Sequence, residues 1–177
     1  VKFLKQLATT IDQLNAWIGR QCGWLVLAMV AIGAFNALAR FAGKWLGVNL
    51  ASNTYLELQW YLFSLLFLLA SAYTLQRDQH VRVDVLYGRL HPRQKTWIDL
   101  IGGIFFLLPF SIACLIFSWP SVRNSWRVWE QSPDPDGLAR YPIKTAILIC
   151  FVLLFLQGLS QIIHCIETLR RPTEALE

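Results

Sequence analysis

The chain has 177 residues with a net charge of +5, and only 15% of them are charged while 55% are hydrophobic. A water-soluble domain of this size carries about a quarter charged residues, so an ordinary soluble domain is excluded. Charge is also confined, since no Asp, Glu, Lys or Arg occurs in 21–39, 58–76, 100–122 or 145–166. About 20 helical residues cross a hydrocarbon core. The pattern therefore predicts an all-α integral membrane protein, a single domain of four transmembrane helices with short amphipathic interfacial helices.

Residues 3–18 repeat Phe3, Leu7, Ile11, Leu14 and Ile18, with Lys2, Lys5, Asp12 and Asn15 largely off that stripe. This spacing predicts an amphipathic interfacial helix leading into the first span. About twenty polar or amphipathic residues precede the apolar run, which marks a retained span rather than a cleaved signal peptide. The first span is rich in Ala and Gly, which permit close helix approach. In the link 40–57, Ser52, Asn53 or Thr54 is placed to cap the next helix. Glu57 opens that helix, where a helix N-terminus favours an anion; the alternative is that it only marks the water boundary.

The second span puts Ser64 and Ser71 seven apart on one face. The third contains Pro109, which removes an amide and predicts a kink, and Pro120 near its far end. Residues 123–131 are expected to continue as helix, with Trp126 near Arg123 and Glu130 in the i, i±3/4 sense. SPDPDG (132–137) then breaks the helix. The fourth span carries Gln157, Gln161 and His164 at offsets of 0, 4 and 7, one polar stripe with Ser160 beside it. Polar side chains within a span face protein or a cavity, so this stripe is either a partner interface or an internal bundle contact.

The segment 77–99 holds Arg77, Arg82, Arg89, Arg93 and Lys95 against three aspartates, with His80 and His91. That dilution leaves no nucleic-acid surface, and two histidines without further close ligands make no metal set. A helical arrangement pairs Asp78 with Arg82, and Pro92 suits a helix start. Two helical pieces at the membrane interface are expected, with Arg and Lys facing lipid headgroups and Trp97 feeding the third span. Lys and Arg number ten in the two termini and 77–99 against six in 40–57 and 123–144. The positive-inside rule then puts both termini in the cytoplasm.

Cys22, Cys114, Cys150 and Cys165 all lie in spans without a C-x-x-C spacing, so they are expected as small buried hydrophobes. No charged residue occupies a span interior, and P-loop, serine-nucleophile and zinc-protease motifs are absent from the sequence. No cofactor and no catalysis are expected. A supporting membrane subunit fits best. A stand-alone homo-oligomeric transporter or channel is the alternative, and a membrane enzyme comes third.

Residues 57–108 resemble the small (Q) subunit of tripartite ATP-independent periplasmic (TRAP) transporters. The most specific stretch is AYTLQRDQHVRVDVLYGRLHPR, with Ala72-Tyr73-Thr74-Leu75 followed by His80-Val81-Arg82-Val83-Asp84. The likeness continues through Ser125-Trp126, Glu130, Ser132-Pro133, Pro142-Ile143-Lys144 and Leu156-Gln157-Gly158. It implies a four-helix subunit that packs beside a large multi-span subunit holding the substrate and sodium sites. It further implies a periplasmic substrate-binding protein and sodium-driven uptake of an organic acid, without ATP. With the chain ending at Glu177, the large subunit is expected as a separate polypeptide. Arg77–Arg93 would lie at the cytoplasmic interface and Gln157-Gly158 in the last span, with no catalytic residue.

Overall fold

A computed structural model describes residues 2–47, 52–79, 87–88 and 90–170. His80, Arg82, Asp84 and Arg89, and with them most of the first expected helical piece of 77–99, lie outside the described residues. Four helices account for nearly all of the rest. They are α1 (Lys2–Leu46), α2 (Asn53–Gln76), α3 (Pro92–Arg127) and α4 (Arg140–Arg170), each with a stretch long and apolar enough to cross a membrane. The all-α expectation holds. Among the described residues, the sole β feature is a bridge between Gln131 and Ala139.

The expected interfacial helix over 3–18 is not a separate element. Its 16 residues run without a break into the first span, as part of one 45-residue helix. At 1.5 Å per residue α1 is about 67 Å long, roughly twice a hydrocarbon core. The physical reason lies in which side turns inward. Ala8, Ile11 and Asn15 are buried, whereas Phe3, Leu7 and Leu14 of the apolar stripe are exposed. Ala8, Asn15 and, of the stripe, Ile11 hold this part of α1 on the bundle. Gly47 ends the helix at φ +68°, the left-handed conformation that glycine adopts after a helix C-terminus.

Ser52 caps α2, its hydroxyl accepting from the Thr54 N–H at 3.2 Å. Pro92 begins α3 as expected, and the Gln94 side chain accepts from the His91 N–H at 3.1 Å. Within α3, Gly103–Leu107 forms a π-turn that ends two residues before Pro109. A proline ring crowds the carbonyl four residues back and offers no N–H; the wider π-turn is a local solution to both. Pro120 does not end the helix, which runs on to Arg127. The expected continuation through 131 fails, because Trp129 has φ +49° and leaves helical geometry.

The central helix is α4, which packs against α1, α2 and α3, while α1 also packs on α2. Its inward face is built from Ala146, Cys150, Leu153, Leu154, Gln157, Gly158, Ser160 and Cys165. Elsewhere large apolar side chains point outward, among them Trp24, Phe106 and Phe117 at 69%, 74% and 81% exposure. A surface of this kind calls for lipid or a partner helix rather than water.

Candidate functional site

Two polar knots tie the bundle, one at each end. The first centres on Asp12. Its Oδ1 accepts from Gln157 Nε2 at 3.0 Å and from Ser160 Oγ at 2.7 Å, and its Oδ2 lies 2.8 Å from His164 Nε2. Asn15, one turn along, donates to Gln157 Oε1 at 2.6 Å. From α2, Gln76 donates to the Asp12 carbonyl at 2.9 Å. Three helices thus meet at one residue of α1. Lys5 and Glu167 add an outer ion pair at 3.7 Å. Beside the knot is a cleft of about 270 Å³ to which Asp78, Asp99, Gln161 and Thr168 also contribute.

The second knot gathers the segment between α3 and α4 onto the start of α2. Glu57 is buried, and its carboxylate accepts from the Ser132 hydroxyl and from the Leu138 N–H. Thr54 donates to the Asp136 carbonyl at 2.6 Å, and Tyr61 to that of Ala139 at 3.1 Å. Lys144 pairs with Glu130, whose carbonyl accepts from the Arg140 N–H at 2.8 Å. The Lys144 hydrogen bond holds the Glu130 carboxyl below the usual glutamate range. Trp126, Trp129 and Tyr141 stack edge to face on one another, and the Trp126 indole donates to Thr145 at 2.8 Å.

The residues singled out from the sequence fall into distinct places. Gln157 and His164 join the first knot, and Gln161 lines its cleft, so the polar stripe of α4 serves an internal contact with α1. Glu57 does not act at its own helix terminus. It sits a full turn inside α2 and binds the distant 132–138 segment instead. Ser64 and Ser71 do not work together. Ser64 lines a groove with Met29 and Trp60, while Ser71 donates to Leu68 O and lies 3.3 Å from Cys150 Sγ. Trp126 faces Tyr141 rather than Arg123 and Glu130 along a helix.

Gly158 marks a close approach, since a Cβ there would lie 3.0 Å from Leu107 and 3.1 Å from Leu108, beside the π-turn. Arg77 is exposed and bonds the Tyr73 hydroxyl at 3.2 Å, and Trp97 is exposed on α3. Tyr73 in turn covers Gly19 of α1, where any side chain would collide with its ring. Cys22, Cys150 and Cys165 are buried free thiols, and Cys114 is half-buried. Sequence reasoning missed Asp12, Asn15, Ser132 and Lys144 as partners. A signal existed for the first two, because they form an i, i+3 polar pair able to match a polar stripe on another helix.

The class this architecture defines is an all-α protein with four helices of membrane-spanning length and composition, pinned at both ends by hydrogen-bonded carboxylates. Residues 29–168 match the family of tripartite ATP-independent periplasmic transporters, DctQ component. The match covers well over half of the chain, and the chain belongs to that family. No curated protein and no solved structure matches it.

Proposed function

We propose that this chain is the small membrane subunit of a sodium-driven, binding-protein-dependent transporter that takes up an organic acid. In this role it packs beside a large multi-span subunit and holds it in the bilayer, without substrate chemistry of its own. A periplasmic substrate-binding protein completes the system. The observation that carries this reading is the family match over residues 29–168. Further support comes from the chemistry of the two knots, in which Asp12, Glu57 and Glu130 are engaged in holding the chain's own elements together. A bundle stiffened at both ends suits a scaffold.

The same reading puts the protein in a bacterial or archaeal cytoplasmic membrane with both termini inside. The Glu57 knot then faces the periplasm, and Arg77–Arg93, including His80, Arg82, Asp84 and Arg89, lies at cytoplasmic lipid headgroups or the partner. The excess of Lys and Arg in the termini and 77–99 supports this orientation. Purification of the tagged chain in mild detergent, expressed with its neighbouring genes, tests the assignment. A stoichiometric large membrane protein is expected to co-purify, and a homogeneous homo-oligomer would contradict it.

A further inference from the structure

Two grooves between α1 and α2 adjoin at Gly33 and Gln59, which line both, and together make a furrow along the helix pair. The upper part, about 480 Å³, presents Asn36, Arg40 and Lys44 from α1. These residues are spaced i, i+4 and i+8, which stacks them on one helix face. The lower part, about 650 Å³, is walled by Met29, Val30, Trp60 and Phe63. Polarity therefore grades along the furrow from two cations, through two carboxamides, to hydrocarbon.

Two features ask for a ligand at the polar end. Arg40 and Lys44 sit one turn apart as like charges, and neither pairs with a carboxylate among the described residues. Gln59 crosses over Gly33, where a side chain would collide with its amide, and donates only a long 3.5 Å bond to Met29 O. Its carboxamide borders both parts of the furrow.

We propose that this furrow binds an anionic phospholipid. The phosphate is held between Arg40 and Lys44, the ester carbonyls of the glycerol region accept from the amide N–H groups of Asn36 and Gln59, and one acyl chain lies along Met29, Val30, Trp60 and Phe63. Charged headgroup, polar backbone and hydrocarbon follow one another in a phospholipid in the same order as their partners along the furrow. Arg40 and Lys44 also directly follow the apolar run, at the level where basic side chains reach lipid phosphates. The chemistry shared with free phosphate is confined to the basic end; the hydrocarbon end argues for the lipid.

Native mass spectrometry of the full-length chain in mild detergent tests this, with phosphatidylglycerol, diacylglycerol and inorganic phosphate as separate probes. Wild-type protein is expected to retain phosphatidylglycerol, with diacylglycerol held far more weakly and millimolar phosphate failing to displace it. Arg40→Gln with Lys44→Gln should lower retention about tenfold, while Arg123→Gln with Arg127→Gln should leave it unchanged. Ala37→Phe, which obstructs the groove without removing a charge or a hydrogen bond, should lower it as well and serves where the charge variant does not fold. Equal retention by the Arg40/Lys44 variant, or by Ala37→Phe if only that one folds, would overturn the proposal. Displacement by phosphate alone would also overturn it, leaving a free-anion site.

Discussion

Asp12 of α1 and His164 of α4 are 152 residues apart in sequence and 2.8 Å apart in space. The same carboxylate takes hydrogen bonds from Gln157 and Ser160, and its backbone carbonyl takes one from Gln76. One residue in the first tenth of the chain therefore holds the last helix by its side chain and the end of α2 by its backbone. Stability should be sensitive to it out of proportion to its size.

Asp12→Ala should cost about 2 kcal/mol, because the bonds from Gln157 and Ser160 contribute roughly 0.5–1 kcal/mol each and their donors are left unmatched. His164→Ala should cost about 0–1 kcal/mol, since that ring is half exposed and its pairing is screened. Thermal unfolding of the detergent-solubilised chain gives the order. A larger loss for His164→Ala than for Asp12→Ala would show that the knot is held from its wet side.

The Glu130–Lys144 pair predicts acid sensitivity at the opposite end. A carboxyl whose folded value is depressed contributes stability that is present above the ordinary glutamate value, about pH 4.3, and is lost as pH falls through the lower folded value. The segment 128–139 should stay docked at pH 5–7 and release only below about pH 4. Trp129 immediately precedes Glu130 in the chain and its ring packs on Trp126, so tryptophan fluorescence reports the change. Glu130→Gln should weaken this transition without abolishing it, because the Glu57 carboxylate also holds the segment through Ser132 and Leu138; an unchanged acid midpoint in that variant would rule out a contribution from Glu130.

Gly158 should accept Ala with little loss but not Leu. A Cβ meets Leu107 and Leu108 at 3.0–3.1 Å, so alanine asks for a shift of a few tenths of an ångström. Leucine overpacks the contact and should cost about 1–3 kcal/mol by prising α3 from α4 at the π-turn. Unfolding midpoints of the two variants decide it; equal midpoints would mean that the π-turn yields freely.

Helix number and helix type were legible in the sequence because charge-free runs of spanning length leave a membrane helix as the only economical solution. Pro92 announces one helix start, and Ser52, the cap of α2, is one of the three candidates Ser52, Asn53 and Thr54 that the sequence offers there. The pairing of helices was not legible. Asp12 looked like the wet side of an amphipathic helix, because periodicity reports which residues are apolar and not which polar residues find one another. For Glu57 local rules offer only its own helix dipole or the water boundary, whereas its partners Ser132 and Leu138 are 75 and 81 residues away. Glu130 and Trp126 were placed on one helix since nothing before Ser132 announces the turn at Trp129.

Orientation has its own check. With Gly88→Cys or Asp136→Cys as the reporter, an impermeant maleimide added to intact cells should label the second and spare the first. The reverse pattern would invert the proposed topology and put the Glu57 knot in the cytoplasm.

Reconstituted uptake tests the proposed role most directly. The chain, its large membrane partner and the periplasmic binding protein are placed with liposomes under an inward sodium gradient, and each component is omitted in turn. Organic-acid accumulation should require all three, and the chain alone should transport nothing. Sodium-driven accumulation by this chain by itself, or full uptake by the other two without it, would contradict a supporting membrane subunit.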